Sequence, residues 1–217
     1  MKPNSHAKLS VNRLSCKQGD RLLFRELSFE LHAGELLFLL GHNGSGKTSL
    51  LRLLALLMHP DEGQITWCDH ALDSYPHAYR EQLLYLGHKP ALSADLTPRE
   101  NLSLISALMT GESDRSDHAL HEVAMLEYAD VQVHRLSAGQ KQRVALARLI
   151  LQKAQLWILD EPTTSLDHES QQWLEQKIHQ HLAALGMVVI ASHQPLTFVQ
   201  STVKHLQLLG NGMFHFV

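Results

Sequence analysis

Eight consecutive residues, Gly41-His42-Asn43-Gly44-Ser45-Gly46-Lys47-Thr48, combine three glycines with a lysine and a threonine. Glycines let a backbone wrap closely around an anion, and successive N–H groups at the start of a helix converge on its oxygens. In that chemistry Lys47 reaches the terminal phosphates of a nucleotide and the Thr48 hydroxyl ligates Mg²⁺. A second feature is the carboxylate pair Asp160-Glu161, which closes the apolar run Leu156-Trp157-Ile158-Leu159. A buried strand seldom ends in adjacent acids without a cation or a proton to manage. Beside a phosphate loop, Asp160 becomes the acidic partner of Thr48 at the metal, and Glu161 is placed to orient and deprotonate a water attacking a γ-phosphate. A third stretch, Leu136-Ser137-Ala138-Gly139-Gln140, sets a hydroxyl and a small-residue backbone at a helix start, which is again anion-binding equipment.

The elements around these groups read as an α/β chain. Residues 35–40 form a short apolar strand before the phosphate loop, and 49–57 a helix after it. Upstream, 7–14 and 21–31 read as antiparallel strands around the turn-like Lys17-Gln18-Gly19-Asp20. A turn at 60–63, a strand at 64–68, a short helix at 76–82 and a strand at 83–86 follow, ending at Gly87-His88.

From 89 to 153 the pattern becomes helical. Thr97-Pro98-Arg99-Glu100 is a capping box with proline at the first helical position, 117–127 has apolar residues at helical spacing, and a third helix runs from Ser137 through Ile150. Strand 156–159, helix 168–185, strand 187–191 and a final helix and strands over 195–217 resume the alternation. Strands alternating with crossover helices predict a mostly parallel sheet covered on both faces, whose ligands gather at the strands' carboxyl ends. The expected organisation is one domain of 217 residues: 1–88 and 154–217 as the core with an N-terminal antiparallel β subdomain, and 89–153 as an inserted α-helical subdomain.

Composition narrows the function classes. A net charge of −3 gives no sign of a nucleic-acid binder, which usually shows a basic excess or stripe. Cys16 and Cys68 have no metal-ligand or redox spacing, and read as ordinary thiols of a reducing compartment. The N-terminus lacks the apolar core of a signal peptide, and no run is long enough to span a bilayer, so the chain is expected in the cytosol, working at a membrane only by docking. Among sixteen histidines, the pairs His118 with His121 and His179 with His181 lie on polar segments and read as surface residues rather than metal ligands.

The signature Leu136-Ser137-Ala138-Gly139-Gln140 resembles the LSGGQ motif of ATP-binding cassette ATPases. Ser165-Leu166-Asp167 looks like that family's D-loop, His193 like its switch histidine, and His88 stands where its Q-loop glutamine is usual. The resemblance implies a P-loop NTPase fold and ATP with Mg²⁺ as cofactors. It implies nucleotide contacts from Gly41, His42, Asn43, Gly44, Ser45, Gly46, Lys47, Thr48 and Ser49, and from Ser137, Ala138, Gly139, Gln140 and Asp167. Glu161, His193, Lys47 and His88 would be the catalytic set, and Thr48, Asp160 and His88 the metal set. Two features depart from the pattern. Leu14-Ser15-Cys16-Lys17-Gln18 carries no aromatic residue to stack on adenine, and a neutral imidazole at His88 offers one donor and one acceptor where an amide offers more.

Within the family, Gly63-Gln64-Ile65-Thr66-Trp67, Tyr85-Leu86-Gly87-His88, residues 96–102, the alanine-containing signature and Ala145-Leu146-Ala147-Arg148 are similar to the heme-exporter ATPases of cytochrome c maturation. Pro90-Ala91 and Thr163-Thr164-Ser165 depart from them, as Pro-Gly and Phe-Thr-Ala are expected there. The resemblance implies a homodimer of ATPase subunits in the ATP-bound state, with Ser137 and Gly139 of one copy closing over ATP held at Lys47 of the other. It also implies integral membrane transporter subunits as partners, and a peripheral place on the cytoplasmic face of a bacterial inner membrane. Neither nucleic-acid binding nor direct heme binding is expected. Another single-cassette exporter of lipids, lipoproteins or metals would share every catalytic motif, and a soluble cassette protein acting on ribosomes or DNA is the alternative of another class.

Overall fold

The computed structural model describes residues 5–72, 76–109, 115–193 and 202–217. By its contacts the chain divides into two compact units: residues 1–85, 154–161 and 178–217 make the first, and 86–153 with 162–177 the second. The second unit thus takes in the segment after the acidic strand as well as the insert.

The first unit holds two sheets. One is antiparallel, with spatial order β2 (Arg21–His32), β1 (Lys8–Gln18), β4 (Glu62–Trp67), β5 (His70–Ala71). β1 and β2 are joined by the two-residue loop Gly19-Asp20, with Gly19 at φ 59, so the hairpin delivers Arg21 as the first residue of β2. The other sheet is six-stranded, in the order β10 (Met213–Phe216), β9 (Thr202–Gly210), β3 (Glu35–Leu40), β8 (Met187–Ala191), β7 (Leu156–Asp160), β6 (Leu83–Leu86). β3 runs parallel to both β8 and β9, β7 parallel to β8, and β9–β10 is an antiparallel hairpin. Every residue of β7 and β8 is buried, which accounts for their unbroken apolar sequences.

Helix α1 (Lys47–Leu54) presents Leu50, Leu51, Leu53 and Leu54 to a core shared with Leu37, Leu39, Ile158 and Val189. It ends three residues earlier than its apolar spacing suggests, because Leu56 takes a left-handed φ of 55. Helix α2 (Pro76–Glu81) buries Tyr79, whose hydroxyl donates to the Leu54 carbonyl at 2.7 Å and so satisfies a helix end. The final helix expected after Pro195 lies outside the described residues.

One reading needs correction here. His181 is no surface histidine: its ring stacks on Trp157 with centroids 3.8 Å apart and planes 5° from parallel, and a Cβ on Gly186 would fall 2.3 Å from it. Burial pulls its pKa down to about 4.

The second unit packs α3 (Pro98–Met109), α4 (Ser116–Glu122), α5 (Ala138–Leu146) and α6 (Arg148–Leu151) around Leu102, Leu120, Met125, Val144 and Leu151. Two helices expected to be continuous are broken. The 117–127 helix stops at Glu122, since Ala124 sits at φ 53, and the chain resumes as a 3₁₀ turn over Leu126–Tyr128. The helix from Ser137 to Ile150 is split at Ala147 between α5 and α6. Helix α7 (His168–Ala183) contributes residues 168–177 to this unit and 178–183 to the first.

Candidate active site

The phosphate loop leaves β3 at Gly41 and enters α1 at Lys47. Gly41 has φ 146, and a Cβ there would sit 2.5 Å from both the Leu208 carbonyl oxygen and Ser45 Oγ, so only glycine lets the loop turn at this point. At Gly46, which caps α1, no side chain bonds the helix N-terminus, and the first turn has no acidic residue. The first N–H groups of α1 are therefore left to an outside acceptor.

Ser45 Oγ is fully buried in the same loop and has no hydrogen-bond partner among the described residues. Lys47, 8% exposed, folds its ammonium back onto the loop, donating to the Gly41 carbonyl at 2.7 Å and to that of His42 at 3.4 Å. Among the described residues no carboxylate forms an ion pair with it. A buried cation bonded only to carbonyls, beside an unused hydroxyl and an uncapped helix, fits the oxygens of a polyphosphate.

Strand β7 delivers Asp160 at 2% exposure, and Thr48 Oγ1 lies 3.3 Å from its Oδ1. The Asp160 charge also reaches Tyr85, whose phenol is pushed up first by burial and then by that carboxylate. Two hard oxygen donors at this separation, one of them a buried carboxylate, suit a small divalent cation such as Mg²⁺.

The backbone of Glu161 is at φ 52, with its N–H donating to the Ala191 carbonyl at 2.8 Å. That turn aims the side chain at His193, whose backbone N–H donates to Glu161 Oε2 at 3.1 Å and whose Nε2 is 3.4 Å from Oε1. The same Nε2 is 2.9 Å from Asn43 Oδ1, so His193 ties the carboxylate after β7 to the phosphate loop. The first unit thus gathers residues 41–49, the adjacent Asp160 and Glu161, and His193, three chain segments spread from Gly41 to His193.

The remaining candidates belong to the second unit. Ser137 caps α5 in a reciprocal capping box: its Oγ accepts from the Gln140 N–H at 3.2 Å, and its own N–H donates to Gln140 Oε1 at 2.9 Å. Ala138 opens the helix, and Gly139 follows so close to the next loop that a Cβ would fall 2.6 Å from the Ser165 carbonyl oxygen. Gln142, buried, donates to the Pro162 carbonyl at 2.9 Å and fastens the helix to the same loop. Asp167 caps α7 by accepting from the Ser170 N–H at 2.9 Å, and hydrogen bonds from Ser170 hold its carboxyl below the usual range. His88 is exposed in the bend after β6.

Comparison with known proteins agrees with this geometry. The family model described as ABC transporter matches residues 24–164. A cytochrome c biogenesis ATP-binding export protein, CcmA, of Salmonella typhi is 42% identical over 94% of this chain and 98% of its own length. The CcmA protein of Escherichia coli strain UTI89 is 40% identical over the same shares. A solved ATP-binding subunit of an ABC transporter, 27% identical, superposes with a TM-score of 0.82 over 94% of this chain and 86% of that one.

The chain belongs to the ABC transporter family.

It is an ATP-binding, ATP-hydrolysing subunit of that family, closely related to the CcmA-type export ATPases. A putative ABC transporter ATP-binding protein from Pyrococcus furiosus, 23% identical with a TM-score of 0.78, shares the fold. Among the described residues no helix is long and apolar enough to cross a membrane. One basic residue at the ABC site escaped the sequence reading: Arg21, which the β1–β2 turn brings to Gly44 of the phosphate loop. Its only signal in the sequence was its place just after Gly19-Asp20.

Proposed function

We propose that this chain is the ATPase subunit of the heme-exporter, or heme-chaperone-release, complex of cytochrome c maturation. The observation that carries the reading is similarity to CcmA proteins of several bacteria along nearly the whole chain, including 98% of the length of the Salmonella relative. Its partners are two integral membrane subunits of CcmB/CcmC type, and its place is peripheral, on the cytoplasmic face of a bacterial inner membrane. ATP is the bound nucleotide, and neither nucleic acid nor heme binds this subunit directly.

The geometry supports the following catalytic roles. Residues 41–49 bind the phosphates through backbone N–H groups, and Lys47 exchanges its carbonyl partners for phosphate oxygens. Thr48 and Asp160 would hold Mg²⁺, which would supply charge neutralisation on the phosphate chain. Glu161 accepts the proton of the attacking water, while His193 orients that carboxylate through its backbone N–H and reads the phosphate loop through Asn43. His88 positions water or metal ligands in place of the usual glutamine.

Ser137, Ala138, Gly139, Gln140 and Asp167 act on the nucleotide of a second copy, so that each site is completed by the partner subunit. The single domain, with 89–153 as its helical insert, is one half of that dimer. Loss of the γ-phosphate removes the bridge between copies and reopens them.

The test is co-purification from bacterial membranes together with complementation. A strain deleted for its own ATPase subunit should regain covalent cytochrome c when given this chain, and should fail with Glu161→Gln. Recovery of a complex with lipid- or lipoprotein-exporter subunits, without rescue of cytochrome c, would replace this reading by the other exporter. Pro90-Ala91 and Thr163-Thr164-Ser165 are the residues that favour that second assignment.

A further inference from the structure

Arg21 occupies a position that the motifs do not explain. Its side chain is exposed, and among the described residues no hydrogen bond or ion pair engages its guanidinium. Yet the group lies against the phosphate loop: Nη1 is 3.3 Å from the point where a Cβ on Gly44 would stand, and Nη2 is 3.5 Å from the corresponding point on Gly210, in the β9–β10 turn. The His42 ring meets Gly210 from the loop side, with Nε2 3.6 Å from that same point and 3.1 Å from the Leu209 carbonyl oxygen. Two glycines without side chains thus make room for a guanidinium and an imidazole to converge at the outer rim of the loop.

We infer that Arg21 is a nucleotide-binding residue, whose guanidinium pairs with the phosphate chain of ATP from the solvent side of the loop. The inference deepens the nucleotide site described above and rests on it. An Arg held beside carboxylates would have spent its charge, whereas this one is uncommitted and sits 3.3 Å from a residue of the phosphate loop. Its planar fork suits two phosphate oxygens at once. The same side chain answers a gap in the sequence: residues 14–18 offer no aromatic platform for adenine, so affinity must come from elsewhere, and a contact to phosphate leaves the identity of the base unread. The hairpin enforces the placement, because the loop Gly19-Asp20 puts Arg21 at the start of β2, two residues before Leu23, which with Phe24 packs against Gly46.

The test is equilibrium binding of ATP, GTP and AMP to the purified full chain, at low and high salt, for wild type, Arg21→Ala and Arg21→Lys. Arg21→Ala should weaken ATP and GTP alike by about tenfold and AMP far less, with the difference shrinking as salt rises, and Arg21→Lys should recover part of the loss. The melting temperature of the nucleotide-free variant should match wild type, since the guanidinium makes no hydrogen bond or ion pair among the described residues. Unchanged ATP affinity in Arg21→Ala overturns the inference, as does a loss confined to ATP over GTP or equal for AMP and ATP, which would assign the residue to the base. A wild-type chain that binds none of the three would overturn the nucleotide site itself, and the inference with it.

Discussion

The phosphate loop and the signature segment are both glycine-containing starts of helices, yet they treat their polar groups in opposite ways. Helix α1 begins with no side-chain cap, an unpartnered Ser45 hydroxyl and a Lys47 ammonium parked on carbonyls. Helix α5 begins with a closed capping box in which Ser137 and Gln140 satisfy one another. The first is built to accept an anion on its own, and its groups gain partners when one arrives. The second is complete without a ligand, and what it offers is the remaining helix-end N–H groups and the Ser137 O–H proton. That contrast fits the proposed division of labour between two helix starts in two structural units, in which one would capture nucleotide and the other would close over the nucleotide of a second copy.

The largest effect expected from breaking this contrast is at Lys47. Lys47→Ala should reduce hydrolysis by roughly a hundred- to a thousandfold and weaken ATP binding by the chain alone, measured by phosphate release and by equilibrium binding. If nucleotide affinity is unaltered, Lys47 is not the phosphate ligand assigned here. Next comes Glu161→Gln, which should slow hydrolysis by roughly a hundredfold or more while sparing ATP affinity, leaving a long-lived ATP-bound dimer visible by size-exclusion chromatography. Rapid turnover by that variant would remove Glu161 from the role of base.

A smaller effect is expected from the second unit. In Gly139→Ala the added methyl meets the Ser165 carbonyl at 2.6 Å, so the signature and the following loop must separate. Hydrolysis should fall by about tenfold through mispositioning, with binding of ATP to the single chain unaltered. Parallel losses in binding and turnover would erase the distinction between the two helix starts.

The smallest effect is confined to the unit that owns the phosphate loop. His181 stays neutral in the fold down to about pH 4 but titrates near 6.5 when unfolded, so between those values the unfolded chain holds the extra proton. Stability should therefore be full above pH 6.5 and decline as pH falls toward 4, by about 3 kcal/mol at most. Urea midpoints of wild type and His181→Phe across this range should diverge in that direction, and superimposable profiles would show that the stacked ring does not govern acid stability.

What the sequence disclosed follows from how local each signal is. The phosphate loop, Asp160-Glu161 and the signature Leu136 to Gln140 are contiguous stretches legible from residue type alone, whereas the capping box that closes Ser137 on Gln140 emerged only in the structure. The parallel core was equally legible, because wholly buried strands such as β7 and β8 carry no polar alternation. The breaks at Ala124 and Ala147 were not, since apolar spacing continues across both and only tertiary packing sets the left-handed φ at Ala124. Polar neighbours on helix α7 hid His181, whose partner Trp157 lies on strand β7. Arg21 was hidden by distance, as nothing in a hairpin's sequence names the loop it will meet.

In the proposed dimer, the phosphate loop and the signature of a working site come from different copies of the chain. This arrangement is tested most directly by mixing two inactive variants, Lys47→Ala and Gly139→Asp, under conditions that allow subunits to exchange. The mixture forms dimers in which one site pairs an intact loop with an intact signature, so the account predicts turnover well above that of either variant alone. No gain on mixing, with exchange verified by differently tagged subunits, would contradict it.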